Sequence, residues 1–119
     1  MIFIIDDDND FANVEKKIVL ASGESEVRCF RNVIDAINAT TEIVPDLIFL
    51  DILLDGPDGF TLLNELQSYE DLARVPVVIV SSIDFSGKNL KGYNVVGVLN
   101  KSKMMPKDIQ KYIELCRTK

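Results

Sequence analysis

Histidine is absent from this chain of 119 residues, cysteine occurs only twice, and no stretch gathers lysine and arginine together. Each shortage excludes something. Without histidine, a metal site must draw on other ligands, and the thiols are poorly placed to supply them. Cys29 in "VRCF" and Cys116 in "YIELC" show neither a CxxC nor any other ligand spacing. They read as small buried hydrophobes in a reducing compartment. A formal net charge of −6 without a basic cluster argues against binding nucleic acid or acidic lipid nonspecifically, since both reward grouped cations. No apolar run is long enough to span a bilayer, and "MIFII" at the start is too short, and lacks the basic flank, for a signal peptide. A cytoplasmic location is therefore expected, with no direct partnership with membrane or nucleic acid. Repeats, low-complexity tracts and linkers are missing as well, so residues 1–119 are expected to form one domain, whose 47% apolar content suffices for a single core.

What is present is an alternation. Five apolar runs, "MIFII", "EVRCF", "DLIFL", "VPVVIVS" and "NVVGVLN", read as strands because they are rich in β-branched residues and flanked by Gly, Pro or Asp. Helical patterns separate most of them. Phe11, Val14, Ile18 and Ala21 recur at helical spacing behind an Asn9 or Asp10 cap, with Gly23 as a stop. Val33, Ile34 and Ile37 follow Asn32, and Phe60, Leu62, Leu63 and Leu66 follow the turn "DGPDG". Ile109, Tyr112, Ile113 and Cys116 mark a last amphipathic helix that tolerates Pro106 in its first turn. Only "SIDFSGKNLKGYN" is weak, because Gly87 and Gly92 leave it a short or frayed helix, with Phe85 as its expected anchor. Phe3, Phe11, Phe30, Phe49 and Phe60 fall on apolar faces and are expected in the core. Strand and helix in alternation predict right-handed crossovers and a parallel sheet covered on both faces, a doubly wound α/β domain.

In such sheets functional groups collect beyond the carboxyl ends of the strands. The first strand here ends in Asp6, Asp7 and Asp8, the third in Asp51, the fourth in Ser81 and Ser82, and the fifth in Asn100 and Lys101. Singly, each fits an ordinary cap or surface residue. Together they bring several carboxylates, a hydroxyl and an ammonium to one rim. Crowded carboxylates raise one another's pKa or recruit a cation, and an oxygen-only ligand set favours a hard divalent ion, Mg²⁺ before Zn²⁺. A carboxylate nucleophile, a metal, an ammonium and a hydroxyl are the parts that phosphoryl transfer uses, with Asp51 as the nucleophile.

These landmarks make the sequence similar to the receiver domain of bacterial two-component response regulators. The family opens with a hydrophobic strand and an acidic pair, here Asp6 and Asp7 in "FIIDD", and places its phosphoacceptor at the end of the third strand, here Asp51 in "PDLIFLD". Asp58-Gly59, Ser81 and Lys101 match its later landmarks in order. The resemblance implies a flavodoxin-like strand order 2-1-3-4-5 and a signalling domain, not an enzyme. It implies Mg²⁺ on Asp7, Asp51 and the carbonyl of Leu53, with Asp6 bound through water, and phosphoryl oxygens held by Ser81 and Lys101. The implied donor is a phosphohistidine on a sensor histidine kinase or a phosphotransfer protein, and an output domain or protein partner would read the signal.

Three positions and one segment depart from the family. Ser102 stands where Pro usually follows the lysine, and the peptide bond before it is expected to be trans. Val98 replaces the aromatic switch residue, Asp55 replaces a Pro, and the segment between Ser81 and Lys101 is short. The alternative these suggest is a degenerate receiver that binds partners without phosphorylation. A haloacid-dehalogenase-like phosphohydrolase also opens with Asp-any-Asp, but it needs Thr or Val where this chain has Asp10.

Overall fold

The computed structural model describes residues 1–23, 26–53, 58–82, 90 and 92–117. The expectations for Asp55, Phe85 and most of the fourth connection fall outside them. In chain order the elements are β1 (Ile2–Ile5), α1 (Asn9–Ala21), β2 (Val27–Phe30), α2 (Val33–Thr40), β3 (Leu47–Leu50), α3 (Gly59–Gln67), a 3₁₀ turn (Leu72–Arg74), β4 (Val77–Ser81), β5 (Val95–Asn100) and α4 (Pro106–Arg117). The strands form one parallel sheet in the order β2-β1-β3-β4-β5. That is the expected doubly wound architecture.

Period-2 alternation sends successive side chains of the central strands to opposite faces. Phe3, Ile5, Ile48, Leu50 and Ile79 pack with Val33 and Ala36 of α2 and Leu62, Leu63 and Leu66 of α3. Ile2, Ile4, Phe49, Val78 and Val80 pack with Ala12 and Val19 of α1 and Ile109 and Ile113 of α4. Both faces are covered, so "IFII", "LIFL" and "VVIV" carry no polar residue, whereas the edge strands β2 and β5 are only partly buried.

Local chemistry sets the helix ends. Asp8, not Asn9 or Asp10, caps α1: its backbone is still extended and its carboxylate accepts from Phe11 N at 3.1 Å, while Asn9 and Asp10 are already helical. Asn32 caps α2 by accepting from Asp35 N at 2.8 Å, and Gly23 follows α1 with φ +96°, a conformation that suits glycine.

Three further sequence expectations need correction. The inner face of α1 is Ala12, Glu15 and Val19, with Val14 55% exposed and Ala21 also outside, because the stripe facing the sheet and α4 runs through positions 12, 15 and 19. Cys29 is exposed and Cys116 only half-buried, Cys29 because β2 is an edge strand. Of the five phenylalanines expected in the core, Phe3 and Phe49 are fully buried, while Phe11, Phe30 and Phe60 pack half-buried against it.

Candidate functional site

The hydrogen-bond ladder continues one residue past the strands that matter. Asp6 N donates to Phe30 O at 2.9 Å, Asp51 N to Ile5 O at 2.9 Å, and Lys101 N to Ser81 O at 2.9 Å. Each side chain therefore starts from backbone held by a neighbouring strand at the carboxyl rim. Asp6 Oδ1 accepts from Asp8 N at 2.9 Å and Asp51 Oδ1 from Leu53 N at 3.0 Å, so both carboxylates are oriented by the turns that follow them. Their remaining oxygens converge on one ammonium. Lys101 Nζ pairs with Asp6 Oδ2 at 2.7 Å and donates to Asp51 Oδ2 at 3.1 Å.

Lys101 gets there over a trans Lys101–Ser102 bond. Asn100 secures the turn: its Oδ1 accepts from Ser102 N at 2.9 Å and Ser102 Oγ at 2.6 Å, and its carbonyl accepts from Lys103 N and Met104 N. The ammonium also lies 4.6 Å from the centroid of the Phe11 ring, a cation–π contact.

Burial governs the charges. Loss of solvent pushes the Asp6 carboxyl above its ordinary value, against the pull of Lys101 and the bond from Asp8 N. The same burial disfavours the Lys101 ammonium, but Asp6 and Asp51 together outweigh it and raise that pKa. Asp6, Asp7 and Asp51 each offer a carboxylate oxygen within 4.8 Å of the others. The donor set is oxygen only and tightly grouped, which fits a hard divalent cation.

The other sequence-derived candidates sit on the same rim. Ser81 ends β4, is fully buried, and lies opposite Asn100 of β5. Leu53 is half exposed in the turn after Asp51. Asp58 and Gly59 open α3: Asp58 accepts from Phe60 N and Thr61 N, and Gly59 N donates to Ile52 O at 3.1 Å. A Cβ at position 59 would stand 2.8 Å from Ile52 Cα, so only glycine lets α3 approach so closely. Val98 lies opposite Ile79 on β5 and is 42% exposed.

Sequence reasoning missed Glu15. It is 1% exposed in the middle of α1, and its Oε2 has no hydrogen-bond partner among the described residues. Burial first, then the negative charges of Asp6 and Asp51, push its pKa up to about 8, with Lys101 opposing. The signal was available: Phe11, Ala12, Glu15, Ile18 and Val19 trace a helical stripe with one acid in it.

A sequence model of the response regulator receiver domain matches residues 2–114. The response regulator PleD of Caulobacter vibrioides is 35% identical over 49 residues, 41% of this chain but only 11% of PleD's length. Among solved structures, the receiver domain of NtrX from Brucella abortus is 25% identical with a TM-score of 0.81, covering 98% of this chain and 97% of that one. The receiver domain of a sensor histidine kinase from Pseudomonas aeruginosa, solved with a magnesium ion coordinated in its active-site cleft, has a TM-score of 0.86 at 19% identity, covering 99% and 97%. The family model covers nearly the whole chain and the strand order is that of the flavodoxin-like receiver fold, so the chain belongs to the response regulator receiver domain family of two-component signalling.

Proposed function

We propose that residues 1–119 form one phosphoacceptor receiver domain, acting in signalling without turning over a substrate, in which Asp51 takes a phosphoryl group from a phosphohistidine on a sensor histidine kinase or phosphotransfer protein. A carboxylate oxygen of Asp51 forms the new O–P bond as the P–N bond of the donor breaks, and the electron pair stays on the imidazole nitrogen. Asp7, Asp51 and the Leu53 carbonyl would hold Mg²⁺, with Asp6 bound through water. The ion would supply positive charge against the phosphoryl oxygens. Lys101 and Ser81 would hold the other two oxygens.

The observation that carries this reading is the convergence of Lys101 Nζ on Asp6 and Asp51, at 2.7 and 3.1 Å, at the carboxyl rim of the sheet. A cation already stands beside the acceptor carboxylate. The charge change on Asp51 would bias a surface seen by an output domain or protein partner. A phosphorylation-independent interaction module is the second reading, favoured by Val98, which offers no ring to turn inward.

Incubation with acetyl phosphate and Mg²⁺, read by intact mass, separates the two. The expected result is a gain of one phosphoryl group that needs Mg²⁺ and disappears in Asp51→Asn. A folded wild-type protein that gains no mass would leave the second reading.

A further inference from the structure

Both Oδ1 atoms of Asp6 and Asp51 are engaged by main-chain N–H groups, and both Oδ2 atoms face Lys101. A cation that binds either carboxylate through Oδ2 therefore shares that oxygen with the ammonium or displaces it. A displaced ammonium needs another acceptor, since burial away from water without a partner is costly. The surroundings narrow the choice. Lys101 lines a cavity of about 130 Å³ between α1 and the start of α4, together with Phe11, Ile18, Met104 and Ile109, and the only acidic side chain in its lining is Glu15. Phe11 already lies beneath the ammonium, and Glu15 is one helical turn further along the same face, about 6 Å along the axis. The carboxyl of Glu15 is buried, and its Oε2 has no partner among the described residues.

We propose that Glu15 is the alternative acceptor for Lys101: a positioning residue that receives the ammonium while a divalent cation occupies the carboxylate cluster and until a phosphoryl group on Asp51 draws it back. The inference rests on the Mg²⁺-dependent reading above. An orphaned acceptor in an apolar cavity gains more from an arriving ammonium than one already hydrated, so Glu15 lowers the cost of clearing the metal pocket. Phe11, whose ring contacts the ammonium and lines the same cavity as Glu15, gives the lysine a surface to move along.

The test is a double-mutant cycle on Mg²⁺ affinity, measured by calorimetry on wild type, Glu15→Leu, Lys101→Met and the double variant. Glu15→Leu is expected to weaken Mg²⁺ about tenfold with Lys101 present and less than about twofold in the Lys101→Met background. Equal weakening in both backgrounds would mean that Glu15 acts independently of Lys101, and no weakening would remove its role; either overturns the proposal. A second measurement needs no variant. Nuclear Overhauser contacts from the Lys101 Hε protons to Glu15 Hγ should strengthen when Mg²⁺ saturates the wild-type protein, and contacts that stay unchanged would also overturn it. A wild-type protein that binds no Mg²⁺ would instead remove the metal-dependent reading itself, so the two failures are told apart by the first titration.

Discussion

Asp6 and Glu15 are almost equally removed from water, at 2% and 1% exposure, yet the molecule treats them differently. Asp6 sits just past the end of β1, where the turn supplies the free N–H of Asp8 and β5 delivers Lys101. Glu15 sits in the interior of α1, where the helix's own carbonyls already use the backbone N–H groups, and its Oε2 finds no partner among the described residues. A strand end can feed a buried carboxylate; a helix interior cannot. One acid is thus part of a charged site and the other is held near neutrality by its surroundings.

The largest test of this contrast is to make the first region resemble the second. Lys101→Met leaves two buried carboxylates facing each other, and in the absence of divalent cation it should lose about 3–5 kcal/mol at pH 7. Urea unfolding with and without MgCl₂ checks this: the loss should shrink when the salt is added, and an unchanged midpoint would show that the ammonium does not hold the pair.

The second test acts on Glu15. Its pKa of about 8 in the folded chain lies above its ordinary value of 4.5, so the folded state keeps a proton that the unfolded state has released. Stability should therefore fall as pH rises from 4.5 to about 8 and level off beyond. At pH 7 the difference, at about 1.4 kcal/mol per pH unit, comes to roughly 3 kcal/mol. Glu15→Gln should recover most of this and flatten the slope in a series of urea curves from pH 4.5 to 9; a slope that persists would have another source.

The smallest test uses an acid at the favoured end of a helix. Asp58 caps α3 through Phe60 N and Thr61 N, so Asp58→Ala should cost about 1 kcal/mol, where Asp58→Asn should cost little. A thermal shift of opposite sign to that of Glu15→Gln would sharpen the comparison between cap and interior.

Much of this was legible in the residues. "LIFL" and "VVIV" announce strands buried on both faces because no polar residue interrupts them, and the acids and lysine that follow such runs fall on one rim whatever the details of packing. Asn32, Gly23 and Pro106 announced helix ends because each needs a particular backbone conformation or hydrogen bond. The inner face of α1 was harder. Val14 is apolar and in helical phase with Phe11, but a single helix turn offers two plausible stripes, and only the sheet and α4 select the one through Glu15. Cys29 was misread for a related reason, because residue type says nothing about whether a strand lies at an edge.

By itself, then, the order of residues determined the alternation of strands and helices and the chemistry at their ends, since both follow from local spacing and from groups adjacent in the chain. Only the tertiary structure decided that Lys101, fifty residues beyond Asp51 and ninety-five beyond Asp6, would bridge those two carboxylates while Glu15 found no partner for Oε2 among the described residues. Pairing of distant charges depends on which strands become neighbours, and that is set by burial summed over the whole sheet.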